Sequence, residues 1–174
     1  MKQTLLALVA LLIATFLSFN QKQARMQSQG QVVRAEMQQM ALGVAAQTLQ
    51  VIRARDFDDA TEGVPRDSIV PTSAFTEAPF STGNDCQAFG GSDACDDVDD
   101  FHEMQTASIP FTFPTGKFDF DVDVRVRYVD PDLQSTGGSR SSRKQVIVEV
   151  QDDPSSGSPR LPEPIEYSEV ISYP

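Results

Sequence analysis

The chain opens on an apolar run, Leu5 to Phe19, interrupted only by Thr15 and Ser18, with Lys2 the one charge before it. From Gln21 to Asp56 there is no proline, and Gln, Ala, Met, Leu and Arg, all good helix formers, dominate. Val33, Met37, Met40, Val44, Leu49 and Ile52 recur at three- to five-residue spacing, with Ala41 and Ala45 on the same stripe. Asp56, Asp58 and Asp59, then Gly63 and Pro65, end the pattern, which predicts a helix stopping near Arg55. Fused, the two stretches predict one helix of roughly 50 residues, on the order of 80 Å long at 1.5 Å per residue. Its first third is apolar all round and its last third amphipathic.

Beyond the helix the period changes. Residues Thr61 to Ala107 are rich in Pro, Gly, Ser, Thr and Asp and read as a long irregular connection. Phe118, Phe120, Val122, Val124, Val126 and Tyr128 then alternate with Asp119, Asp121, Asp123, Arg125 and Arg127, the signature of a half-buried antiparallel strand. A polar connection from Ser135 to Arg143 leads to a second strand, Lys144 to Val150, and Ile165 to Tyr173 is the third. The expected fold class is α+β. Residues 1–56 form the long helix, with 1–20 as its membrane or polymer-core segment, and residues 57–174 form a β-rich head. A three-stranded meander laying its apolar face on the C-terminal half of the helix would bury both apolar surfaces.

Composition sharpens this picture in two places. The net charge of −11 repels phosphate backbones, so nucleic acid is not an expected partner; the acid is read as a solvated surface. Cys86 and Cys95, nine residues apart in a Gly/Asp/Ser-rich stretch, are expected to form a disulfide staple, with free thiols or metal ligation as the competing readings. A bridge implies an oxidising compartment. The lone histidine, His102, and the absence of CxxC spacing argue against zinc.

Candidate chemistry is sparse. Asp96, Asp97, Asp99 and Asp100 crowd beside the staple and are weak candidates for Ca²⁺, which takes six to eight oxygen ligands, but EF-hand spacing is missing. The competing reading is a hydrated acidic loop in which Asp97 or Asp99 caps a turn. Asp119, Asp121 and Asp123 share a strand face with Arg125 and Arg127, which suggests cross-strand ion pairing rather than acid–base work. No nucleophile motif, phosphate loop or HExxH occurs, so no enzyme activity, catalytic residue or organic cofactor is expected.

The N-terminal segment separates the function classes. A cleaved signal peptide, a permanent anchor and a helix that passes from membrane to polymer core all begin with such a run. An unbroken helix directly after it favours the last. The chain resembles the type IV pilin superfamily, minor pilins and pseudopilins included. The resemblance rests on the apolar start, the helix end A-A-Q-T-L-Q-V-I-R-A-R-D-F-D (Ala45 to Asp58), and D-D-V-D-D-F (Asp96 to Phe101). The helix end is similar to that of many pilin-like minor subunits, and the Asp-rich segment resembles minor pilins of mannose-sensitive haemagglutinin type, as do the paired segments Val122 to Asp130 and Arg143 to Val150. That family carries Glu at the fifth mature position, whereas Leu5 stands here. The resemblance implies a structural subunit of an extracellular filament at the cell surface. Such a subunit is held in the inner membrane before a pilus assembly machinery polymerises it with copies of itself. Leu5, Leu8, Val9, Leu12, Ile13, Phe16 and Phe19 are the expected assembly residues. The alternative is a membrane-tethered adhesin or binding module.

Overall fold

The computed structural model describes residues 2–65, 68–83, 86–91, 95–113, 116–152, 161 and 163–174; the side chains of 2–10, 24, 107–108, 111–113 and 116–118 are not among what it describes. One helix, α1, runs from Lys2 to Arg53. The chain divides into two compact units, Met1–Met37 and Gln38–Pro174, and the division falls inside that helix.

The first unit is helix alone. Within it, Leu11, Leu12, Ile13, Phe16, Leu17 and Phe19 are all exposed. Val33, expected on the buried stripe, is exposed as well, so the stripe begins further along the chain than its spacing suggested.

The second unit is α+β. Its helical part buries Ala41, Val44, Ala45, Thr48, Leu49 and Ile52, a spacing of three, one, three, one and three that holds one face of an α-helix to the core. Met40 lies at the edge of that face, half-buried. Thr48 is tolerated there because its hydroxyl donates to Val44 O at 2.9 Å.

Two short strands, β1 (Cys86–Gln87) and β2 (Gly90–Gly91), pair with each other. The main sheet is four-stranded and antiparallel, in the order β3 (Gln105–Phe113), β4 (Gly116–Tyr128), β5 (Arg143–Asp152), β6 (Ile165–Ser172). The three expected strands are present, and β3 is an addition to the expected meander. Pro110 lies in β3, and proline is accommodated because β3 is the edge of the sheet, with β4 as its one ladder partner among the described residues. The register of that pair shifts between Thr106 and Ile109, which further disguises the alternation.

Phe120, Val122, Val124, Val126 and Tyr128 of β4 and Val146, Val148 and Val150 of β5 are buried, and β4 and β5 pair with Val124 opposite Val148 and Tyr128 opposite Lys144. The opposite face carries polar residues. Arg125 bonds Glu149 at 2.9 Å, the expected cross-strand ion pair, whereas Arg127 donates to the amide oxygen of Gln145.

Candidate functional site

In the first unit the exposed apolar residues surround the helix rather than lining one side. Leu11, Leu12 and Ile13 are consecutive, and at about 100° per residue three neighbours cover most of a turn. Phe16 and Phe19 are 68 % and 70 % exposed. The polar atoms of this stretch turn inward on the helix itself: the Thr15 hydroxyl lies 2.9 Å from Leu12 O, and the Ser18 hydroxyl donates to Ala14 O at 2.8 Å. Of the expected assembly residues, Leu12, Ile13, Phe16 and Phe19 are exposed. The side chains of Leu5, Leu8 and Val9 lie outside the described residues. Among the described residues no helix is long and apolar enough to cross a membrane.

In the second unit the polar residues converge on one buried lysine. Lys144 has the same parity in β5 as Val146, Val148 and Val150, so the strand's alternation sends its side chain to the core face, where none of it is exposed. Its Nζ donates to Asp58 Oδ2 at 2.9 Å, to Phe57 O at 2.6 Å, and to Asp99 Oδ1. Aromatic rings enclose the same atom, with centroids of Phe57 at 4.6 Å and of Phe80 and Tyr128 at 5.4 Å.

Asp58 arrives here because the chain stops being helical at Arg53 and then enters a short 3-10 turn, Asp59–Thr61, that Asp58 caps. Its Oδ1 accepts from Ala60 N, and the Thr61 hydroxyl faces back to Asp58 N. Thr76 N–H lies 3.1 and 3.0 Å from its two oxygens. Tyr128 O–H donates to Thr76 O at 2.8 Å and sits 3.3 Å from Asp58 Oδ2. Burial, then the negative charges of Asp58 and Asp99, push the Tyr128 phenol far above its ordinary range.

Asp99 arrives on a second 3-10 turn, Asp99–Phe101. That turn is fixed by Asp97, whose Oδ1 accepts from Asp99 N at 2.8 Å and from Asp100 N at 3.0 Å, the capping role expected of it. Asp100 Oδ2 in turn accepts from the backbone of Asp96 and Asp97. The expectation of a hydrated acidic loop is corrected here: Asp97 and Asp99 are buried, because the loop folds onto the end of the sheet and not into water. Burial is also the main reason that the Asp97 carboxyl is pushed up to about 8, with repulsion from Asp99 next; the N–H of Asp100 and the ammonium of Lys144 act against it. Asp99 is raised too, again chiefly by burial, against the pull of Lys144.

Of the calcium candidates, Asp97, Asp99 and Asp100 thus direct their carboxylates to backbone N–H groups and to Lys144, and Asp96 gives its backbone N–H to Asp100. Among the described residues no group of three or more His, Cys, Asp or Glu side chains is arranged to hold a metal ion.

Cys86 and Cys95 are disulfide-bonded, as expected. The staple is less isolated than a free loop would be, because Cys86 lies in β1 and Ala88 N–H donates to the Thr106 hydroxyl at the start of β3. His102 packs its ring on Phe80, centroids 5.7 Å apart, and its Nδ1 accepts from Val126 N.

The sequence does not by itself join Lys144, Asp58 and Tyr128 into one cluster. Lys144 is legible as a charge in phase with a valine stripe, an anomaly that calls for a buried partner; nothing local to Asp58 or Asp99 announces that they supply it. An open polar groove of about 750 Å³ also crosses this unit, lined among others by Glu103, Asp123, Arg125 and Glu149. Burial, then Glu149 and Asp121, raise the Asp123 carboxyl in it.

No protein-family model, curated protein or solved structure matches this chain.

Proposed function

We propose that this protein is a structural, non-enzymatic subunit of an extracellular type IV pilus-like filament that polymerises through its N-terminal helix. The observation that carries the reading is the all-round apolar stretch of α1, whose residues from Leu11 to Phe19 are exposed while its hydroxyls bond to the helix's own carbonyls. A helix segment of that kind has no favourable contact with water on any side. It is suited to lipid first and to copies of itself afterwards. Burying each Leu, Ile or Phe against neighbouring helices contributes roughly 1.5–3 kcal/mol, and head-to-tail contacts of one helix with the next propagate without closing. The partners on this reading are the inner membrane, an assembly machinery and further copies of the chain, and the destination is the cell surface.

Shearing surface material from cells and examining it by negative stain and mass spectrometry tests the proposal. Filaments containing this chain are expected, and Leu12→Asp or Phe16→Asp should abolish them. Leu5→Glu should be tolerated if each added acid meets a neighbour's amino terminus. Recovery of the protein only as a soluble monomer lacking residues 1–20, or normal filaments from the Leu12→Asp protein, would sink it.

A second reading, a membrane-tethered adhesin or binding module, draws support from the polar groove beside Arg125 and Glu149. Replacing residues 1–25 by an unrelated anchor separates the two. A tethered binder keeps its function after that exchange, whereas a filament subunit loses polymerisation.

A further inference from the structure

We propose that Lys144 and Asp99 condense into an intramolecular amide, with Asp58 as the carboxylate that moves the proton. This goes beyond the filament reading and does not depend on it.

The geometry places an amine between two carboxyl groups in a box that water does not reach. The side chains of Lys144 and Asp58 are fully buried and that of Asp99 nearly so. The rings of Phe57, Phe80 and Tyr128 wall the amine on the remaining sides. Such an arrangement is a poor way to keep a permanent ion pair, because each charge taken out of water carries a desolvation cost that attraction repays only in part. It is a good way to bring a nucleophile and an acyl group together. Holding two reacting groups in contact raises their effective concentration to about 10⁵–10⁸ M, far beyond what condensation in dilute water can reach.

The two carboxyls divide the work by their surroundings. Asp58 is pinned by the backbone N–H groups of Thr76 and Ala60, which fix both its oxygens in place beside the Lys144 amine. It is equipped to accept a proton and return it. Among the described residues no backbone N–H bonds the Asp99 side chain, and Lys144 reaches it directly. Burial favours its neutral acid, the form whose hydroxyl can leave.

The step balances without any co-reactant. The Lys144 ammonium gives a proton to Asp58, and the free amine attacks Cγ of Asp99. The C–N bond forms as Cγ becomes a tetrahedral centre. Asp58 then passes the proton to the departing hydroxyl, the Cγ–O bond breaks, one water molecule leaves, and Asp58 takes up the second proton from the new amide nitrogen. The ammonium and the Asp58 carboxylate are both discharged, Asp58 ending as the neutral acid beside a neutral amide, so the buried site loses two of its charges. The bond ties β5 to the 3-10 turn at Asp99, 45 residues earlier in the chain.

The full-length protein, purified folded, reduced, denatured and digested with trypsin, tests this directly by mass spectrometry. The expected product is a branched species joining residues 67–117 to residues 144–160, one water lighter than their sum, with no cleavage after Lys144. Fragmentation should place the branch on Asp99. Complete recovery of linear 67–117 and 145–160 from wild-type protein overturns the proposal, as does a branch to residues 56–66, which would carry the bond on Asp58 instead. Asp99→Ala must give linear peptides only. Asp58→Asn, an isosteric change whose folding is checked by circular dichroism, should also leave them linear. A branched product of normal yield from folded Asp58→Asn overturns the role given to Asp58. The wild-type digest needs no variant, so it decides whether the amide exists even where a substitution misfolds.

Discussion

Replacing Asp97 by asparagine should leave the head folded while changing how its stability depends on pH. In the unfolded chain this carboxyl titrates near its ordinary value of 3.8; in the folded head it titrates near about 8. Between those values the folded state holds a proton that the unfolded state has released. Its contribution is therefore fully present below the lower value and is lost as pH rises through the upper one. At 1.36 kcal/mol per unit, the whole shift sets a ceiling of about 5–6 kcal/mol. Solvent screening trims this, so about 2–3 kcal/mol between pH 5 and pH 8 is the working figure. The groups facing Asp97 are Asp99 and Asp100, which repel its charge, and Lys144, which attracts it. Burial raises Asp99 and Asp100 in the same direction, so part of the slope survives in the variant. The general repulsion within a chain of net charge −11 survives too, which makes the asparagine variant the necessary control. Asparagine keeps a side-chain oxygen for the Asp99 and Asp100 N–H groups without the titration. Urea unfolding followed by near-ultraviolet circular dichroism of the tyrosines should show the wild-type midpoint falling from pH 5 to pH 8, and falling less in Asp97→Asn. A wild-type midpoint that rises over this range, or equal slopes for the two proteins, would refute the reasoning.

Three further outcomes follow from the same unit. Gly83→Ala should destabilise it by roughly 1–3 kcal/mol in urea unfolding, because a Cβ there would lie 2.2 Å from the backbone oxygen of Asp100, an atom held by the turn. Tyr128→Phe should cost about 1–3 kcal/mol by stripping the buried Thr76 carbonyl of its donor, whereas Arg125→Ala, breaking a half-exposed ion pair, should cost less than about 1 kcal/mol. The reverse order would mean that burial is not what sets the value of a polar contact here. Alkylation of the unreduced protein should label neither Cys86 nor Cys95; closing so short a loop contributes roughly 2–3 kcal/mol, so reduction should lower the urea midpoint.

The elements that the chain announces are those whose periodicity is uninterrupted. The helix stripe from Ala41 to Ile52 and the alternation from Phe120 to Tyr128 each present apolar groups at one repeat, and each is buried as that repeat demands. The strand Gln105–Phe113 stays hidden because Pro110 and a register shift break its alternation, and only its edge position makes the proline acceptable. The acidic segment from Asp96 to Asp100 misleads for a different reason. Aspartate density reads as hydration when its neighbours are loops, and here the residues that bury it lie elsewhere in the chain: Asp56 before it and Lys144 after it. Local patterns carry the secondary structure; which charge ends up beside which is settled by the sheet register, and no window of sequence contains that.

The residues just after the helix show what the buried cluster accomplishes mechanically. Asp56 N–H donates to Asp96 O and Asp56 O accepts from Val98 N–H, forming a short parallel bridge between the helix exit and the acidic segment. One residue on, Lys144 holds Phe57 O; the next, Asp58, meets Lys144, Thr76 and Ala60. Three consecutive residues are therefore fixed to three separate parts of the head, and the disulfide anchors the chain at Cys95, just before one of them. On the filament proposal, tension along the helix would enter the head at this point, where the driest contacts of the unit stand. A surface ion pair such as Arg53–Glu169 at 3.1 Å could not serve there, because water competes for both partners. A lysine shielded by three aromatic rings and shared between two turns resists that competition, and an amide in its place would remove it altogether.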